Sequence, residues 1–296
     1  MQSLFKLFKT TFQGWINDYA ASMGAALAFY TLFSIAPLLL IVLSIIGFVF
    51  GVEAARGEIA GQLENLLGEQ GALAVQSLLQ NVNKPKEGLI ASVIGLVLLI
   101  IGATTVFAEL QSSLDRIWHV PERKKINGLI ALFRERLLSF GLILGIGFIL
   151  MVSLLFSAGL ATMHQLWSPQ FKEWEFLLNL INIGFSFLMT TVMFALIYKL
   201  MPSVKIRWSE VWIGAIITAI LFTAGKHLIG LYIGRSAITS GFGVAGSLVA
   251  LLVWVYYSAQ IFLLGAEFTW AYSNIYGSRK AQLPQTSQTS QTSITP

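Results

Sequence analysis

The sequence predicts an all-α, polytopic membrane protein with six transmembrane helices and with N- and C-termini in the cytoplasm. Three observations predict it. The first is composition. Of 296 residues, 56% are hydrophobic and 11% charged, with a mean hydropathy of +0.74. A soluble domain carries about 25% charged residues, so this much apolar surface needs lipid to cover it. The second is the presence of six apolar stretches near the length that crosses a bilayer. The third is the uneven placement of Lys and Arg along the chain.

The spans fall at 25–50, 89–108, 137–161, 176–198, 211–233 and 246–272. A stretch such as Leu89–Phe107 carries no charge on any face, which a surface helix of a soluble bundle requires. The fifth span is the least regular, because Lys226 and His227 interrupt it. Lys6, Lys9, Arg116, Arg123, Lys124, Lys125, Arg134, Arg136, Lys199, Lys205, Arg207, Arg279 and Lys280 collect on one side of this topology. Arg56, Lys84, Lys86, Lys172, Lys226 and Arg235 fall toward the other. The richer side is assigned to the cytoplasm, and an even number of spans returns both termini to it.

Segments outside the spans have patterns of their own. Residues 1–20 form an amphipathic helix for the membrane interface, with Leu4, Phe5, Phe8, Phe12, Trp15 and Ile16 on one stripe. Residues 21–277 are the transmembrane domain. Within it, residues 53–83 predict an outer cap of two short helices, with apolar faces at Ile59, Leu63, Leu66, Leu67 and at Val75, Leu78, Leu79, Val82. Residues 278–296 repeat Gln-Thr-Ser and predict a disordered cytoplasmic tail. The first sixteen residues hold two lysines and no apolar core, so no cleavable signal is expected. Cysteine is absent, which removes disulfide and thiolate chemistry.

Polar residues inside spans are the functional candidates, because desolvating them is costly. Tyr30 and Ser34 precede Pro37, which should kink the first span. This reads either as a substrate-facing bend or as a packed kink with its hydroxyls on the backbone. Glu267, late in the sixth span, reads as a proton or cation site, as one half of a gate pair with a lysine, or as an interfacial carboxylate; Glu109 reads more readily as the last. Lys226 and Arg235 read as a pair for an anionic head group or as snorkelling side chains. The basic stretch Arg116–Arg136 fits topology and anionic lipid better than nucleic acid, and its Trp118 and Phe133 read as interfacial anchors.

Catalysis finds no support. His119, His164 and His227 fall in three different connections, and no nucleophile, phosphate-loop or zinc motif occurs. No catalytic residue, metal or cofactor is expected, nor is the chain expected to be an enzyme. Gly141, Gly145 and Gly147 permit close helix packing, within the chain or in a homo-oligomer.

Several stretches together resemble a known family. They are Ala25-Ala-Leu-Ala-Phe-Tyr-Thr-Leu-Phe-Ser-Ile-Ala-Pro37, Thr104-Thr105 through Leu114 to Ile117-Trp118, Tyr198 with Pro202, Gly214-Ala215, Lys226, Tyr232, and Trp254-Val-Tyr-Tyr257 through Gly265-Ala-Glu267 to Tyr276-Gly277. Over residues 10–277 the chain resembles the YihY/BrkB family of bacterial inner-membrane proteins, some of which once carried the label ribonuclease BN. Asp115, where the pattern has Asn, and Phe242, where it has Tyr, depart from it. The resemblance implies six helices and a bacterial plasma (inner) membrane location. Together with the candidate residues, it points to a transporter or flippase of a lipid or other amphiphile, with membrane lipids as partners and no nucleic acid. A small-solute or osmolyte transporter and a non-transporting envelope scaffold are the alternatives. The expected cavity lies between the first, fifth and sixth spans.

Overall fold

The computed structural model describes residues 2–34, 105–121, 172–235 and 246–280, with positions 152, 156 and 159 of a further helical stretch. These residues form α1 (Gln2–Asn17), α2 (Ala20–Ser34), α3 (105–117), α4 (Lys172–Leu200), α5 (Trp208–Arg235) and α6 (Gly246–Ile275). There is no strand among them. Three stretches are long and apolar enough to cross a membrane: Leu180–Leu200, Trp208–Tyr232 and Leu248–Ile275. They match the fourth, fifth and sixth predicted spans. Pro37, the proposed cap at 53–83, most of the second and third spans and the tail from 281 lie outside the described residues.

The centre of the fold is the antiparallel pair α5–α6, whose register is set by small residues. Thr269 packs on Gly214, and Thr218 packs on Gly265; a Cβ on either glycine would overlap the facing hydroxyl. Each threonine donates to its own helix, Thr218 to the Gly214 carbonyl at 2.8 Å and Thr269 to the Gly265 carbonyl at 2.7 Å. The hydroxyls are thereby satisfied without partners across the interface, and the backbones approach as small-residue pairs allow. Tyr198 of α4 ties the pair to a third helix. Its hydroxyl donates to the Phe262 carbonyl at 2.7 Å and lies 3.0 Å from Thr218 Oγ1. Phe194, Phe222 and Phe262 pack around it.

α1 has three faces. Leu7, Thr11 and Gly14, at helical spacing, dock on α6, with Leu7 beside Phe268 and Ala271. Leu4, Phe5, Phe8, Phe12 and Ile16 are more than half exposed. Lys6 and Lys9 occupy the remaining arc. A helix that docks by a narrow edge and leaves its apolar stripe outward has the layout of a membrane-surface element. The chain then turns at Asp18–Tyr19, where Tyr19 takes a left-handed φ of 59°. α2 continues antiparallel to α6: Gln260 Nε2 donates to the Ala20 carbonyl at 3.2 Å, and Gly24 lies under Gln260 and Tyr256. The N-terminal helix and the C-terminal end of α6 therefore share one end of the bundle.

Polar locks concentrate at that end. Asp115 accepts from both the backbone N–H and the hydroxyl of Ser203, each at 2.7 Å, joining α3 to the α4–α5 connection. An Asn there would offer one acceptor oxygen in place of two, so the two-point clamp depends on the carboxylate. Lys199 donates to the Ile206 carbonyl. Trp118 is buried in the core and covered by the Arg279 guanidinium, 4.9 Å from its ring. This corrects its reading as an interfacial anchor: the turn after α3 folds the indole inward. Ser278, Arg279 and Lys280 continue past α6 in turns, with Arg279 N–H on the Ser273 carbonyl at 3.2 Å.

Candidate functional site

Glu267 is fully buried, and neither carboxylate oxygen has a hydrogen-bond partner among the described residues. It sits on the α6 face that receives α1, and Gly14 makes room for it; a Cβ at Gly14 would lie 3.1 Å from its Cδ and overlap Oε2. The charged group on its α1 side is Asp18, in the turn after α1, whose N–H donates at 2.8 Å to the carbonyl of the same Gly14 that packs on Glu267. Asp18 Oδ2 is likewise buried without a donor. Two ionised carboxylates only accept, so they repel and leave each other unsatisfied. One proton between them turns that repulsion into a hydrogen bond.

The far side of Asp18 meets His119. His119 Nε2 lies 3.8 Å from Asp18 Oδ1, and the imidazole packs on Trp270 with centroids 5.0 Å apart. His119 ends α3 at a left-handed φ of 49°, in a turn closed by Val120 N–H to Asp115 O at 2.9 Å. Glycine is the usual residue at that place, and a bulkier residue there is strained. The ring's Nδ1 lies 3.0 Å from the Ile117 carbonyl. A carbonyl only accepts, so Nδ1 carries the hydrogen and Nε2 is left to exchange a proton with Asp18.

The other candidates lie elsewhere. Ser34 donates to the Thr31 carbonyl at 3.2 Å, which spends its hydroxyl on the backbone. Tyr30 is half-buried with an edge contact to Phe29. Leu32, between them, packs with Ile229, Leu251 and Trp254. Lys226 sits half-buried one turn before Ile229, in that same end of the bundle. Trp254 Nε1 there is buried with no acceptor. Arg235 closes α5; its side chain lies outside the described residues, as does all of Pro37. His227 is within α5 and exposed, and not in a connection. Glu109 is half-buried in α3.

The α5–α6 register separates Lys226 from Glu267. With Gly214 opposite Thr269 and Thr218 opposite Gly265, Lys226 falls opposite the level of Tyr257. That is about ten residues, or roughly 15 Å of helix, from Glu267. Among the described residues the bundle therefore holds the half-buried Lys226 and the unpartnered Trp254 Nε1 toward one end and the unpartnered carboxylates of Glu267 and Asp18 toward the other, with a further unpartnered acceptor, Gln260 Oε1, about one turn from the level of Lys226. Asp18 and His119 were not legible as site residues, since each lies in a turn that sequence reads as an ordinary connection.

Comparison with known proteins agrees with the membrane character. A family model described as "Virulence factor BrkB" matches residues 11–289. A UPF0761 membrane protein of Pseudomonas aeruginosa is 26% identical over 275 residues, covering 91% of this chain and 63% of the relative. A UPF0761 membrane protein of Tolumonas auensis is 24% identical over 282 residues, covering 90% of this chain and 87% of the relative. One from Acinetobacter baylyi is 27% identical over 263 residues, covering 86% and 59%. The chain thus spans less than two thirds of the length of the Pseudomonas relative. No solved structure matches it. The chain is a membrane protein and belongs to the BrkB family.

Proposed function

We propose that the protein is a six-span transporter of the bacterial inner membrane, without enzymatic activity, that moves an anionic amphiphile such as a lipid. The observation that carries this reading is the placement of a cation and an orphaned donor toward one end of the bundle and of two orphaned carboxylates at the other. Lys226 offers a half-buried cation, and Trp254 Nε1 a buried donor with no acceptor among the described residues. Glu267 and Asp18 offer acceptors with no donor. Each unmet group inside a membrane costs free energy that a purely structural bundle has no reason to keep. An anionic head group satisfies the first set, and a cation satisfies the second. The exposed apolar stripe of α1 seats the acceptor end at the membrane surface, with the basic residues of that end toward the cytoplasm.

The test is transfer of a fluorescent phospholipid between leaflets of reconstituted vesicles, followed by quenching from outside. An anionic probe should move faster than a zwitterionic one, and Lys226→Ala should remove most of that preference. Equal rates for both probes, matching empty vesicles, would dismiss lipid transport. Uptake of a soluble zwitterion instead would favour an osmolyte transporter.

A further inference from the structure

We propose that Asp18 and Glu267 together bind one exchangeable proton, and that His119 passes it between this buried pair and the water at the basic end of the bundle. The inference rests on the transport reading for its purpose, because a coupling ion is what a driven transporter needs. Its geometry stands alone.

The pair has the chemistry of a proton site. Three carboxylate oxygens (Glu267 Oε1 and Oε2, and Asp18 Oδ2) are buried without a donor. Among the described residues no ion pair to Glu267 is formed. Of the charged groups nearby, Arg116 lies over the Tyr19 ring at 5.9 Å, Arg279 covers Trp118, and Glu210 on α5 is held by Ser273 and Ser278. On α1, Gly14 faces Glu267 and contributes no charge. His119 is the one titratable partner of Asp18 from α3. A divalent cation wants six or more oxygens or an octahedral set. Among the described residues no three ligand-type side chains gather for one. A single proton satisfies two carboxylates, and belongs to the pair and not to either residue.

The route to water follows from exposure. The His119 side chain is 57% exposed and that of Asp18 13%, while Glu267 is fully enclosed. Loading runs inward: the Nε2–H bond of the imidazolium breaks as an Asp18 Oδ1–H bond forms, leaving neutral imidazole and a carboxyl group. That carboxyl shares its proton with Glu267, and the imidazole takes a new proton from water. Release reverses each transfer. The left-handed φ at both Tyr19 and His119 holds the two turns that bring Asp18 and the imidazole together.

Infrared difference spectroscopy on the full chain in lipid nanodiscs, with no substrate added, tests this apart from transport. Wild type should show the C=O stretch of a protonated carboxyl at neutral pH, where solvated Asp and Glu are ionised. The band should be lost in both Glu267→Gln and Asp18→Asn. His119→Phe should keep the band and slow its exchange with heavy water on the order of 100-fold, the scale of a lost proton-transfer group. A band that survives both carboxyl substitutions, or is absent from wild type, overturns the proposal. Exchange as fast in His119→Phe as in wild type overturns the route. If Glu267→Gln fails to fold, Asp18→Asn still decides, because its amide occupies a turn and not the helix core. Vesicles that move no lipid while the band behaves as expected would sink the transport reading and leave the proton site.

Discussion

Two buried glutamates, one helix apart, have opposite surroundings. Glu210, in the first turn of α5, accepts from Ser273 Oγ at 2.9 Å and from the Ser278 backbone N–H at 2.6 Å. It fastens the end of α6 to the start of α5, and Gly277 lies close enough that a Cβ would meet it. Its place near a helix N-terminus also suits a negative charge. Glu267, two turns earlier on α6, has no donor at all. The first carboxylate is built into the fold. The second is left unmet by the fold and has only another carboxylate for company. Burial alone therefore does not mark a functional charge; burial without partners does.

The comparison is broken most severely at the satisfied site. Glu210→Ala orphans the Ser278 N–H and the Ser273 hydroxyl, and should cost about 3 kcal/mol. Thermal unfolding in detergent would show a lowered midpoint and lost α6 end contacts. Next comes Gly14→Ala, which drives a Cβ into Glu267 Oε2. A helical Gly→Ala change ordinarily gains up to about 1 kcal/mol; here overpacking should reverse the sign and cost roughly 1–3 kcal/mol. Gly184 of α4 has nothing within 4 Å of its Cβ position, so Gly184→Ala should be neutral or stabilising, and unfolding of the two variants side by side checks the contrast. Tyr198→Phe removes the hydrogen bond to the Phe262 carbonyl and should cost about 1 kcal/mol in the same assay. The smallest effect on stability belongs to Glu267→Gln, within about 1 kcal/mol of wild type, since no other described residue donates to that carboxylate and the glutamine amide can replace the proton shared with Asp18.

How much of this was legible in the sequence depended on whether a signal was local. The three described spans appear where hydropathy puts them, because twenty apolar residues are a contiguous pattern. The three-faced α1 could be foreseen as amphipathic from the spacing of Leu4, Phe8 and Phe12, but not its docking edge, since Thr11 and Gly14 look neutral. Glu267 stood out as one charge in an apolar run. Asp18, some 249 residues away in the chain, did not, because a carboxylate beside a helix end is commonplace in any sequence. His119 occupies a position where glycine is usual, and backbone handedness at a histidine leaves no mark in the sequence. Lys226 and Glu267, which the sequence puts toward opposite ends of their spans, are held about ten residues apart by reciprocal Gly–Thr contacts that fix the α5–α6 register, and only packing supplies that register. Trp118 was misread because an indole near a basic connection resembles a membrane anchor, whereas the turn after α3 turns it into the core.

The central claim is that the unmet carboxylate serves transport while the met one serves the fold. The most direct measurement sets lipid transfer against thermal stability for Glu267→Gln and Glu210→Gln, reconstituted in parallel. The account predicts that Glu267→Gln unfolds at the wild-type midpoint and transfers no anionic lipid above empty vesicles. It predicts that Glu210→Gln unfolds earlier yet transfers lipid while folded. Wild-type transfer by a folded Glu267→Gln variant would contradict it.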